Sequence, residues 1–153
     1  MRRTAVLLLL IVSLATAAGA PALELEDPVL PGMNLTDSRA EYREYLENDG
    51  WKLTGDEWCL WGEKDDIEDV AYCFDDKGEL LSVEYNRRCP GDSWSAVLIE
   101  LSEKLTELMG PKSATGGPRF DCWSGGGWNA ELSAKYLDEA DGLDPVVHLE
   151  IYR

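Results

Sequence analysis

Residues 58–85 read WCLWGEKDDIEDVAYCFDDKGELLSVEY, and this stretch decides the fold. Residues 58–61 (WCLW) and 70–74 (VAYCF) are short apolar runs, and Leu81, Val83 and Tyr85 alternate with Ser82 and Glu84, which is typical of β-strands. The acidic segment 62–69 is predicted to be a loop between the first two runs. Residues 75–78 (DDKG) have the composition of a hairpin turn. The stretch therefore predicts three antiparallel strands joined by two hairpins.

The first two of the four cysteines lie within this stretch. A hairpin that places Cys59 opposite Cys73 also pairs Leu60 with Tyr72, which brings the large apolar side chains to one face of the sheet. We therefore predict a disulfide between Cys59 and Cys73. The second hairpin is predicted to pair Phe74 with Glu79, Tyr72 with Leu81 and Val70 with Val83.

The remaining cysteines, Cys89 and Cys122, are then predicted to form a second disulfide. The alternative of a zinc site is poorly supported, because the chain has no C-x₂-C pair and a single histidine. The absence of a C-x-x-C motif argues equally against thiol redox chemistry.

The N-terminus carries the pattern of a secretory signal peptide at residues 1–20. Arg2 and Arg3 precede an apolar run at 5–14, and small residues follow at 15–20. The apolar run is short for a transmembrane span. We predict cleavage within 17–22 and export to the periplasm or beyond, an oxidising compartment that permits disulfides. Residues 21–34 are predicted to be an extended tether, and residues 35–153 a single domain.

Two helices are expected outside the central stretch. Ser38 and Glu41 form a capping box and Gly50 suits a C-terminal cap, which predicts a helix over 37–49. A second helix is predicted from an N-cap at 92–93 to Gly110. Its apolar face comprises Trp94, Val97, Leu98, Leu101, Leu105, Leu108 and Met109.

Three further strands are predicted at 120–123, 128–136 and 146–152, with residues 125–127 (GGG) as a turn. In the last strand His148 and Glu150 should point outward. The predicted order is α-βββ-α-βββ. This order indicates an α+β domain in which two helices pack on one face of an antiparallel sheet, with two disulfides.

Several short motifs resemble those of a known family. They are Gly32-Met33 ahead of the first helix, the Gly50-Trp51 exit, the Cys59/Cys73 hairpin and Phe74-x-x-x-Gly78-x-Leu80. Together they are similar to the α+β fold of the secreted β-lactamase-inhibitor proteins and to the related outer-membrane assembly proteins of the SmpA/OmlA type. The resemblance covers about the first half of the domain and implies the helix-then-strands architecture. Fold likeness alone does not imply a function.

The charge of the chain limits its partners. The formal net charge is −16, with 30 acidic and 14 basic residues, and removal of Arg2 and Arg3 with the signal would leave −18. Such a charge excludes nucleic acid and disfavours anionic membrane surfaces. It favours a cationic protein as the partner, and no membrane insertion is expected after signal removal.

No catalytic motif accompanies this charge. His148 is expected to be a solvated surface residue, and no phosphate loop, G-x-S-x-G or H-E-x-x-H occurs. Acid pairs that could serve a carboxylate-only enzyme are expected by chance among 30 carboxylates. Oxygen-rich segments at 63–66 and 138–144 could in principle hold calcium, but neither has the EF-hand register. We predict that the protein is not an enzyme and has no cofactor or metal.

The tryptophans give the remaining functional signal. Trp58, Trp94 and Trp128 fall on predicted inward positions, whereas Trp61 falls on the opposite face of its strand. Exposed aromatic residues rimmed by acids are typical of protein-binding surfaces. The predicted binding surface comprises Trp61, Leu80, Trp123, Glu63, Asp65 and Asp66.

The sequence therefore predicts an exported acidic binding protein, either an inhibitor or a periplasmic interaction protein for a basic target such as a cationic hydrolase. The alternative is a carbohydrate- or small-ligand-binding module that uses Trp61 and Trp123.

Overall fold

The computed structural model describes residues 25–115, 120–135 and 143–153. The signal-peptide prediction for residues 1–20 lies outside the described residues. The elements in chain order are α1 (Arg39–Asn48), β1 (Lys52–Gly55), β2 (Cys59–Lys64), β3 (Glu68–Phe74), β4 (Leu80–Arg88), α2 (Trp94–Met109), β5 (Ala114–Thr115), β6 (Phe120–Gly125), β7 (Trp128–Lys135) and β8 (Val146–Tyr152).

All eight strands form one antiparallel sheet in the order β1-β2-β3-β4-β8-β7-β6-β5. The Tyr42 ring of α1 lies 4.3 Å from the Tyr72 ring of β3. In α2 the Thr106 hydroxyl accepts a hydrogen bond of 3.1 Å from the Trp123 indole of β6. Because Tyr72 and Trp123 lie on the same face of the sheet, both helices cover that face, and the α+β class is confirmed.

The predicted order α-βββ-α-βββ is wrong, because each half has a fourth strand. The two additional strands, β1 and β5, lie at the two edges of the sheet. They contain four and two residues. Strands this short carry too little alternation to be detected in a sequence.

Both helices occupy their predicted positions, but their N-termini are capped differently. At α1 the Ser38 hydroxyl accepts a bond from the Glu41 amide, and the Glu41 carboxylate accepts one from the Ser38 amide, so the capping box is confirmed. At α2 the N-cap residue is Ser93, within the predicted 92–93, but its side chain makes no capping bond and a 3₁₀ turn at Gly91–Ser93 leads into the helix.

The β2–β3 hairpin has the predicted register. Cys59 pairs with Cys73, Leu60 with Tyr72 and Trp61 with Ala71. The disulfide between Cys59 and Cys73 is formed. The predicted loop at 62–69 is too long, however, because both strands extend into it and only residues 65–67 form the turn.

The β3–β4 register differs from the prediction. Tyr72 pairs with Val83 and not with Leu81, and a bulge falls between Cys73 and Phe74. The extra residue reverses the faces of the two leucines at the start of β4, so that Leu80 is buried and Leu81 is 44% exposed.

The predicted bridge between Cys89 and Cys122 is also wrong, since both cysteines are free. Strands β8 and β7 lie between β4 and β6, so β4 and β6 are about 14 Å apart across the sheet. Cys122 lies in register with Glu131, Glu150 and Glu84, five residues before Cys89 along the chain. A disulfide requires Cα atoms within about 7 Å, so no bridge can form.

The free cysteines give a direct check. We expect peptide mapping to find only the Cys59–Cys73 bridge. A maleimide should label half-buried Cys122 in the native protein and buried Cys89 only in denaturant. Burial raises the pKa of both thiols, which slows the reaction at neutral pH. Failure to label either cysteine in denaturant without reductant would contradict this assignment.

The described part of the predicted tether, residues 25–34, folds back on the domain. Glu26 and Asn34 form an isolated antiparallel bridge. Leu25, Leu30 and Met33 are buried in the core. This segment is therefore a part of the packed domain.

Asp27 is the buried charged residue of this segment. Its carboxylate accepts bonds from the Val29 amide (2.7 Å), the Leu30 amide (3.1 Å) and the Tyr42 hydroxyl (3.1 Å). The Tyr72 hydroxyl is buried in the same region, with no acceptor in hydrogen-bonding geometry among the described residues. Burial outweighs the hydrogen bonds and raises the pKa of the Asp27 carboxyl.

This shift predicts a pH-dependent stability. Because the folded pKa lies above the unfolded value, the folded state retains the proton longer, and stability falls as pH rises from about 4 through the folded pKa. Urea unfolding at several pH values gives the free energy of unfolding of the wild type and of Asp27→Asn. The difference between the two should fall by up to about 1.4 kcal/mol per pH unit as pH rises. The exposed substitution Asp76→Asn serves as control, and a flat difference for Asp27→Asn would contradict the prediction.

In the part of the chain that the structure describes, no helix is both long and apolar enough to cross a membrane.

Candidate functional site

The face of the sheet opposite the helices, called here the helix-free face, carries most of the predicted site. Alternation along each strand sends every second side chain to this face. The pairing aligns these side chains in rows that run across the strands. The central row contains Thr54, Trp61, Ala71, Glu84, Glu150, Glu131, Cys122 and Ala114.

Three neighbouring members of this row are carboxylates. Glu84 of β4 pairs with Glu150 of β8, and Glu150 pairs with Glu131 of β7. Like charges directly opposite each other on adjacent strands are destabilising. These three residues are called the carboxylate row, and they place three negative charges on three adjacent strands.

The carboxylate row is not neutralised by strong bases. Among the described residues, no lysine or arginine forms an ion pair with any of its three members. The Tyr152 hydroxyl donates a bond of 2.9 Å to Glu131. The His148 ring nitrogen Nδ1 lies 3.9 Å from a Glu84 oxygen. Among the described residues the polar partners of the row therefore include Tyr152, His148 and Asn86, whose amide nitrogen donates a bond of 3.5 Å to Glu84.

His148 lies in the next row and is mostly covered, with a side chain that is 14% exposed, so the expected solvated histidine is wrong. Its Nδ1 lies 2.7 Å from the Asn86 amide oxygen, while the Asn86 nitrogen donates a bond of 2.8 Å to Asp69. This chain orients the Asn86 oxygen toward His148 and assigns the proton to Nδ1. Burial, aided by the charge of Lys135, lowers the pKa of His148.

More acids extend this second row toward β2. Glu63 pairs with Asp69, and both are exposed. A cavity of about 300 Å³ lies at this end of the sheet. Its lining is Glu63, Asp66, Ile67, Glu68, Asp69, Asn86, Arg88 and Val146. Acids therefore continue from the carboxylate row to the β2–β3 turn, where Lys52 forms an ion pair with Asp66 and Arg88 lines the cavity.

Apolar groups lie beside the acids on the helix-free face. Trp61 is 40% exposed and adjoins the Cys59–Cys73 bridge through the β2–β3 pairing. Leu81 is exposed by the bulge in β4. The face thus combines an exposed aromatic residue with surrounding carboxylates.

The predicted site residues separate into two groups. Trp61 and Glu63 lie on the helix-free face of β2, and Asp65 and Asp66 are exposed at the turn with φ of 53° and 56°. The other two, Leu80 and Trp123, are buried beneath the helices at 1% and 0% exposure. They cannot belong to an exposed surface, because the bulge turns Leu80 inward and α2 covers Trp123.

The other predicted tryptophan positions differ in outcome. Trp128 is buried and Trp94 packs partly against the core, as expected. Trp58 is 47% exposed, which contradicts its inward assignment.

The sequence reasoning missed the carboxylate row. Alternation in β7 and β8 marks Glu131 and Glu150 as outward residues, and the same holds for Glu84 in β4. Their proximity depends on β8 inserting between β4 and β7, which no local pattern specifies. An outward glutamate in each of three strands was the available signal.

The helix-free face also carries a serine beside its histidine. Ser133 is the cross-strand neighbour of His148, but no hydrogen bond joins them, and the adjoining carboxylates would destabilise a developing oxyanion. Within the described ranges, no group of three His, Cys, Asp or Glu side chains is placed to hold a metal ion. The calcium candidates at 138–142 lie outside those ranges.

No protein family, curated protein or solved structure matches the chain. The resemblance to the β-lactamase-inhibitor and SmpA/OmlA-type proteins stays a prediction.

The unfavourable charge of the carboxylate row gives a stability prediction. Glu150→Gln should raise the free energy of unfolding by about 0.5 kcal/mol, because it removes the carboxylate that lies between the carboxylates of Glu84 and Glu131. Urea unfolding at neutral pH measures the change. Glu57→Gln, an exposed loop substitution with the same change in net charge, should have almost no effect. A destabilised Glu150→Gln variant would contradict the prediction.

Proposed function

We propose that this chain is an exported binding protein whose helix-free face docks a cationic protein, as an inhibitor or a periplasmic interaction protein. The observation that carries the proposal is the carboxylate row, three opposed charges that form no ion pair with a lysine or arginine of the described residues, in register with exposed Trp61.

Opposed like charges reduce stability, and sequences commonly tolerate such local violations at functional sites. A cationic partner would relieve the repulsion on binding. Its long-range attraction to a chain of net charge −16 would accelerate the encounter.

Trp61 supplies the second component of the proposed interface. Large aromatic side chains dominate binding energy at the centre of interfaces, and charges around them contribute specificity and association rate. Trp61 is 40% exposed, yet its strand is held by the disulfide, so ordering it would cost little entropy.

Export is the proposed location. The disulfide between Cys59 and Cys73 is compatible with an oxidising compartment, and the residues 1–20 have the composition of a signal peptide.

The carbohydrate-binding alternative is weakened, because Trp123 is buried. Trp61 would remain as a stacking platform. Competition by soluble sugars in the binding assay distinguishes this alternative from protein binding.

The proposal predicts that Trp61 and the carboxylate row affect different steps of binding. In surface plasmon resonance against a panel of purified cationic hydrolases that includes lysozyme, Trp61→Ala should weaken binding by about 2 kcal/mol, mainly through faster dissociation. The double variant Glu131→Gln/Glu150→Gln should slow association and flatten its salt dependence.

Glu44→Gln/Glu57→Gln, at two exposed glutamates outside the helix-free face, is the charge-matched control for the double glutamate variant and should bind like the wild type. Circular dichroism and unfolding curves establish that Trp61→Ala remains folded. Absence of binding to every cationic protein, or binding unaffected by all three face substitutions, would overturn the proposal.

A further inference from the structure

The spacing of the carboxylate row carries information about the shape of the partner. Glu84, Glu150 and Glu131 project from three adjacent strands in one register. Neighbouring strands lie about 4.8 Å apart. Along a line perpendicular to the strands, the Glu150 and Glu131 side chains therefore start about 4.8 and 9.6 Å from that of Glu84.

An α-helix matches this repeat. Its residues recur on one face about every 5.4 Å, so three basic residues one turn apart deviate from the carboxylate spacing by only about 1.2 Å over two intervals. In an extended strand, side chains on one face recur about every 6.7 Å, and the deviation grows to about 4 Å. The carboxylate row therefore fits a basic helical stripe better than an extended basic segment.

The row also has a direction. On the β2 side, Ala71 and then Trp61 continue it away from Glu84. Trp61 thus starts about 10 Å from Glu84, which is close to two turns of a helix. A helix laid along the row would place an apolar residue over Trp61 about two turns from its nearest basic residue.

We propose that the helix-free face receives an α-helix of its cationic partner, laid across β2, β3, β4, β8 and β7. Lysine or arginine residues one turn apart lie over the carboxylate row, and an apolar residue two turns away packs on Trp61. This inference deepens the proposed function and rests on it, since it specifies which cationic structure the face accepts.

Three synthetic peptides of equal length and charge test the inference against the full chain at physiological salt, and the first two also have the same composition. The stripe peptide has leucine at i and lysine at i+7, i+11 and i+14 in an alanine-rich helix. The scattered peptide places the same residues around the helix. The third places lysine at alternate positions between prolines and is extended.

The stripe peptide should bind at least tenfold more tightly than the other two by fluorescence titration of its labelled terminus. Glu150→Gln should reduce that preference, and Trp61→Ala should remove the contribution of the leucine. Glu57→Gln should leave the order and the affinities unchanged.

Equal affinity for the stripe and scattered peptides would overturn the inference while leaving the proposed function intact, provided that cationic proteins still bind through the helix-free face. Tighter binding of the extended peptide would overturn it in favour of a strand-like partner. If substitutions on this face change the affinity for neither the peptides nor the cationic proteins, both the inference and the proposed function are overturned.

Discussion

The pairing of β8 with β4 and β7 is the constraint on which the rest of the structure depends. This strand comes last in the described chain and lies in the middle of the sheet, where it joins the two halves. Val147, Leu149 and Ile151 are all fully buried beneath the helices. A slip of one residue would expose these three side chains and bury the acid between them, so the register is strongly specified. The position of Glu150 between two other glutamates follows directly from the burial of its neighbours.

Local pairing could be predicted from the sequence where one hairpin contained all the necessary information. The Cys59–Cys73 register followed from requiring Leu60 and Tyr72 to share a face, and the structure has that register. The adjoining hairpin was misread because the bulge before Phe74 adds a residue that alternation does not reveal. A second disulfide follows from the sequence only by elimination, because no local pattern shows that two strands separate the strands that precede Cys89 and contain Cys122.

The candidate site was predictable to the same degree, and for the same reason. Trp61 could be assigned to the outer face of β2 from the hairpin register, whereas Glu63 shares that face only because β2 continues to Lys64, into the segment predicted to be a loop. The carboxylate row could not, because it is assembled by pairings between residues that are distant in sequence. Trp123 was misassigned since an aromatic residue beside a cysteine on a short strand gives no indication of the helix above it. Its indole bonds to the Thr106 hydroxyl, a contact that exists only after α2 has docked.

The carboxylate row also bears on how the fold and the proposed function are related. Each opposed pair costs a few tenths to about 1 kcal/mol, a substantial amount against the marginal stability of a small domain. The cost falls on the face that no helix covers, while the opposite face contributes the buried core, so repulsion does not disturb packing. Because sheet pairing sets the spacing of the three backbone positions, a partner would meet acids whose starting points are already ordered. Such preorganisation reduces the entropy lost on binding and favours a partner of matching repeat over one that carries only the same charge.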